Sequence, residues 1–182
     1  PLFWIIIVAL LPIVFWLLML PVSARFSNWQ AVLRSLGQIT ALIGMALFSI
    51  SFILSSRLPI LDKIFNGINR AYVIHHTVGA LAFIFLLFHP LLLAVNIVSI
   101  SVVSAALFFV PSINSWQVAL GIFALAIMTV ALVLTFYARL KYELWKNSHR
   151  FLGLAFFLGG LHMFFIESDV SQNNYLRFYM LA

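Results

Sequence analysis

The chain has 182 residues, 65% of them hydrophobic and 8% charged, with a mean hydropathy of +1.16 and a formal net charge of +6. A soluble domain carries about 25% charged residues, so the composition excludes a water-soluble globular protein and indicates an integral membrane protein of α-helices, since alternating strand patterning is absent. The sequence holds no cysteine, which excludes disulfides, zinc-thiolate sites, iron-sulfur clusters and covalently attached haem; the basic residues sit in short loops, where they set orientation in the membrane and do not mark a nucleic-acid site.

In chain order, residues 2–20 form a first apolar span with Pro12 inside it. It has no basic leader and no small-residue cleavage site, and is therefore expected to be a true span and not a signal peptide. A polar stretch after Pro21 leads to a second span, Ser35 to Ser56, on which Gly37, Gly44 and Ala46 permit close helix contact. Pro59 and Asn66-Gly67 are turn signals in the next loop, and a third span follows from Ala71 to Val95 with His75, His76, His89 and Pro90. The uncharged segment from Asn96 to Trp116 has too short an apolar part to cross a bilayer and is expected to extend the helix or lie at the interface. The fourth span is Trp116 to Tyr137, and the fifth follows the basic segment ARLKYELWKNSHR and ends near Ile166. Apolar sequence resumes at Tyr175, the start of a sixth helix that is cut short at Ala182, so residues 1–182 are expected to be one membrane domain of a longer protein.

Loop charge orients the bundle. The loops before the third and fifth spans carry Arg57, Lys63, Arg70, Arg139, Lys141, Lys146 and Arg150, whereas the opposite side has Arg25, Arg34 and Arg177 together with Glu167 and Asp169. The positive-inside rule places the first group, and the amino terminus, in the cytoplasm.

The polar groups inside the spans are chiefly histidines. His75 and His89 are 14 residues apart, a rise of about 21 Å, and His149 and His162 are 13 apart, about 19.5 Å. If the third and fifth helices are neighbours, His75 meets His149 at an inner level and His89 meets His162 at an outer one. Two imidazoles facing each other are the ligand set of a b-type haem with both axial positions filled, which suits electron transfer. Two donors per level are too few for a zinc site. Small residues at Gly79, Ala80, Gly153, Ala155, Gly159 and Gly160 leave room for two flat macrocycles. At about 100° per residue, 14 steps return to nearly the same face but 13 leave an offset of about 140°, and a locally tightened turn at Gly159-Gly160 would correct it. His76 and Arg150 occupy equivalent places after the first ligand of each helix, where haem propionates need cationic or hydrogen-bonding partners. Phe85, Phe88, Phe156 and Phe157 lie between the two levels.

The repeat H-x-x-x-G with a second histidine 13 or 14 residues on, in His75–Gly79 to His89 and in His149–Gly153 to His162, with Tyr142-Glu143-Leu144-Trp145 before the latter, resembles the ferric reductase and NADPH oxidase transmembrane domain. The resemblance implies a six-helix bundle with two b haems between the third and fifth helices. These would pass electrons from cytoplasmic FAD and NAD(P)H, on a dehydrogenase module after Ala182 or on another subunit, to extracellular oxygen or a ferric chelate across a plasma or bacterial inner membrane. It also implies an arginine near the outer haem, for which Arg34 is the counterpart, with Arg25 as the alternative. Many oxygen-reducing members carry a further histidine one turn after the outer ligand, where this chain has Leu93. Two other functions are open at this level: a haem subunit serving a separate reductase, and a transporter in which the histidines relay protons without haem.

Overall fold

The computed structural model describes residues 2–181, which form helices joined by short turns and loops and no strand. In order, the helices are α1 (Leu2–Leu17), α2 (Val22–Arg25), α3 (Trp29–Ser55), α4 (Pro59–Phe65) and α5 (Ile68–Val98). They continue with α6 (Val102–Leu107), α7 (Trp116–Phe136), α8 (Tyr142–Phe165), α9 (Asp169–Gln172) and α10 (Asn174–Leu181). The segments α3, α5 and Ile113–Phe136 are each long and apolar enough to cross a membrane. Helix α1 has 16 residues, and α8 carries Glu143, Lys146, Arg150 and two histidines along its length.

The punctuation follows from local chemistry. Asn28 caps α3 by accepting from Ala31 N at 2.9 Å. Asn66 adopts a left-handed conformation and Gly67 has φ 126°, a turn that swings the chain from α4 into α5. Asp62 Oδ1 then accepts from Ile68 N at 2.9 Å, satisfying a first-turn donor of α5. The expected third span starts earlier and ends later than its apolar core, and the uncharged segment after it yields both a helical extension to Val98 and the short α6, which begins at the Ser101 cap.

Two tightly packed helix hairpins, α3 with α5 and α7 with α8, make up the bundle. In the first, Gly37 lies against Leu93 and Gly44 against Leu86, an antiparallel register held by the absence of side chains on α3. A Cβ on Gly44 would stand 2.7 Å from Leu86 Cγ and 3.1 Å from Leu86 N, so the backbones meet where small residues let membrane helices approach. Helix α3 is central: its run Leu42–Phe48 is buried on every side, as expected of a helix apolar all round. It packs against α1 and joins Met128 and Ala131 of α7 and Leu152 and Ala155 of α8 in one core. Helices α5 and α8 barely touch each other; each is braced from behind, and the space between them is left open.

A polar tie closes one end. Arg25 is 5% exposed and pairs with Asp169 at 3.3 Å, while Trp16 Nε1 donates to the same Asp169 oxygen at 2.7 Å. This tie sets the α1–α3 and α8–α10 connections on the same face, as an alternating arrangement of spans requires.

Candidate functional site

The four histidines expected to act together converge in two pairs across the space between α5 and α8. The rings of His75 and His149 have centroids 6.3 Å apart at an interplanar angle of 70°, and those of His89 and His162 are 6.4 Å apart at 56°. Both pairings are those expected from depth along the helices. Helix α8 runs through Gly159-Gly160 as regular α-helix, so the tightened turn expected there does not form. Both α8 histidines are met by the neighbouring helix α7, His162 by Gln117 O and His149 by Thr135 Oγ1.

Each ring is held through Nδ1. His75 donates to Ser51 O at 2.9 Å, with Ser51 Oγ at 3.0 Å, and His89 donates to Gly37 O at 2.8 Å, both acceptors lying on α3. On the other side, His162 donates to Gln117 O at 2.7 Å and His149 Nδ1 lies 3.3 Å from Thr135 Oγ1, both on α7. A carbonyl oxygen only accepts, so the protons sit on Nδ1 and the lone pairs on Nε2, the nitrogens left free to bind a ligand. The Thr135 hydroxyl gives its proton to Ala131 O at 2.7 Å and is therefore an acceptor as well. These supporting groups were not singled out from the sequence for this role. Gly37 was noticed as a close-contact residue, but main-chain acceptors on another helix leave no local signature.

Glycine shapes the second level. A Cβ on Gly121 would lie 3.0 Å from Cγ and Nδ1 of His162, so the ring rests directly on the α7 backbone. Beside this pair a cavity of about 430 Å³ runs between the hairpins, with Gly121, Ala124, Ala155 and Gly159 on its walls and Arg34, Glu167 and Asp169 at one end. Leu93 also lines it, packed against Gly37.

Among the remaining expected site residues, Arg34 lines the cavity, whereas Arg25 is tied to Asp169 and lies over the Trp16 ring. His76 is exposed, its ring 5.8 Å from that of His75. Arg150 is also exposed, and lies on a side of α8 shared with Asn147, Phe151 and Leu154. Of the four phenylalanines between the levels, Phe156 is drawn inward against Phe48 and Phe52 of α3, at centroid distances of 5.4 and 5.0 Å. Phe85 packs on the core, while Phe88 and Phe157 are exposed. Below the first pair, Trp145 stacks on His149 at 5.4 Å and 19°, and Tyr142 on Trp145 at 5.9 Å and 29°.

Among curated proteins none matches the chain. Residues 40–160 match the family model described as the ferric reductase like transmembrane component. That interval runs from within α3 to within α8 and includes His75, His89 and His149; His162 lies two residues beyond it. The chain belongs to the ferric reductase-like transmembrane component family, and is an integral membrane oxidoreductase domain.

Proposed function

We propose that the protein conducts electrons across the membrane through two b-type haems, one held by His75 and His149 and the other by His89 and His162. The observation that carries this is the separation of the paired rings. An imidazole nitrogen binds a first-row metal at about 2.0–2.1 Å and lies about 1.1 Å from its ring centroid, so two rings on opposite sides of one ion have centroids roughly 6.3 Å apart. The pairs stand at 6.3 and 6.4 Å. Among the described residues no group of three or more His, Cys, Asp or Glu is placed to hold a metal ion, and two donors per level suit a metal whose remaining ligands come from a macrocycle. The cavity beside His89 and His162, with Gly121, Ala124, Ala155 and Gly159 among its lining residues, supplies space for it.

When bound, such a group would supply one-electron chemistry. The chain's own residues do the rest. Ser51, Gly37, Gln117 and Thr135 hold the ring protons on Nδ1 and direct Nε2 inward. His76 and Arg150 offer polar or cationic partners for propionates at the His75 level, and Arg34 places a positive charge at the far end of the cavity.

Loop charge orients this path, with the amino terminus and the His75–His149 level at the cytoplasmic side of a plasma or bacterial inner membrane. Electrons enter from a flavin dehydrogenase that oxidises NAD(P)H, on the same polypeptide or on a separate subunit, and leave to extracellular oxygen or a ferric chelate beside Arg34. Outward electron movement is favoured by ~2.3 kcal/mol per 100 mV of inside-negative potential.

The visible spectrum of the purified, dithionite-reduced membrane protein tests the proposal. Sharp b-type bands are expected, and their absence overturns it. His89→Ala or His162→Ala should each remove one haem equivalent and leave the other; unchanged haem content in both variants refutes the assignment of that pair.

A further inference from the structure

The four histidines are not supported alike. Three of them donate from Nδ1 to main-chain carbonyls at 2.7–2.9 Å, those of Ser51, Gly37 and Gln117. Among the described residues the partner of His149 Nδ1 is a side chain, the hydroxyl of Thr135, at 3.3 Å. That hydroxyl gives its single proton to Ala131 O at 2.7 Å, so toward His149 it acts only as an acceptor. A hydroxyl oxygen at 3.3 Å accepts more weakly than a carbonyl at 2.8 Å. The His149 ring is further held by the stacked indole of Trp145, which fixes its plane but does not select which nitrogen carries the proton.

We propose that Thr135 is a positioning residue for the inner pair: it holds His149 with the proton on Nδ1 and Nε2 free toward His75, and its weak acceptor sets the redox potential of that pair apart from the outer one. The inference rests on the four histidines being haem ligands. Donation from Nδ1 pushes electron density onto the ligating nitrogen and stabilises oxidised iron. The other three acceptors are main-chain atoms that no substitution deletes. Side-chain contacts to the rings occur only at the inner pair among the described residues, from Thr135 to His149 and from the Ser51 hydroxyl to His75, whose main-chain acceptor remains in any variant; a change at Thr135 therefore removes the sole acceptor of one ring and can tune the inner pair alone.

The test is a potentiometric titration of the purified membrane protein, followed at the reduced b-type band, with haem stoichiometry measured alongside. Wild-type protein without b-type bands would refute the haem assignment itself, which separates that failure from failure of the present inference. In haem-loaded protein, Thr135→Val removes the acceptor at nearly constant volume. One of the two midpoints should move upward while the other stays, and Thr135→Ser, which keeps the hydroxyl, should restore it. Loss of one haem equivalent in Thr135→Val with both retained in Thr135→Ser also supports the role. Unchanged midpoints, or equal shifts of both, overturn it. Should Thr135→Val fail to accumulate, Thr135→Ala is judged by the same criteria, and equal loss of both haems in the two variants overturns the proposal, since general collapse is what a merely structural threonine would cause.

Discussion

Gly121→Ala tests the close seat of His162 on α7. The added Cβ would stand 3.0–3.1 Å from three atoms of the imidazole, whereas ordinary contact begins near 3.4 Å. The α7 backbone is fixed by its own hydrogen bonds, so the ring must retreat by a few tenths of an ångström. The same movement lengthens the 2.7 Å bond from Nδ1 to Gln117 O, and it changes the 6.4 Å spacing to His89. Overpacking of this kind costs about 1–3 kcal/mol, and the weakened hydrogen bond adds about 1 kcal/mol. A total of about 3 kcal/mol corresponds to a loss of roughly 100-fold in occupancy constant for a group held at that level. The assay is haem stoichiometry in the purified protein, with the redox titration of what remains. The variant should accumulate in the membrane, keep the haem at the His75–His149 level, and hold the second haem weakly or lose it. Two tightly held haems with unaltered midpoints would refute the account of Gly121 as a steric seat.

Two further outcomes follow from the packing and the loops. Asp169→Ala leaves the nearly buried Arg25 guanidinium without its carboxylate partner and removes the nearer of the two acceptors of Trp16 Nε1; a thermal melt in detergent should show a loss of about 3–5 kcal/mol, with Asp169→Asn milder, and an unchanged melt for the alanine variant would mean that the tie contributes nothing. Because the sequence has no cysteine, single cysteines at Lys146 and Glu167 can be labelled with a membrane-impermeant maleimide in sealed right-side-out vesicles. Label at position 167 and protection at 146 are expected, and the reverse would invert the proposed orientation.

Much of the scaffold was legible along the chain. A run of apolar residues about as long as a bilayer is thick must be helical because the backbone has no other way to satisfy its polar groups in lipid. Asn66-Gly67 turned as its residue types require, since both accept positive φ. The matched depths of His75 with His149 and of His89 with His162 were also readable, because rise per residue is a property of one helix alone.

Lateral relationships were not. The angular offset of the 13-residue spacing suggested a local correction at Gly159-Gly160, yet α8 stays regular. Both rings are received by α7, through Gln117 and Thr135, contacts that the spacing along α8 does not announce. Phe156 was visible as an aromatic between the levels, but its partners Phe48 and Phe52 belong to α3 and carry no sequence pattern that ties them to it. The different surroundings of Arg34 and Arg25 likewise depend on tertiary contacts: Arg25 meets Asp169, more than a hundred residues away, while Arg34 lines the cavity.

The sequence by itself therefore determined the helical membrane class and the levels at which the histidines stand along their helices, because helix geometry and hydration act locally. Only the tertiary structure decided which helix lies beside which, that α5 and α8 are held apart by hairpins packed behind them, and which distant carbonyls orient each ring. Those outcomes depend on side-chain volumes meeting across helices, as where Gly44 admits Leu86 and Gly121 admits His162, and such complementarity has no expression in either strand of sequence taken alone.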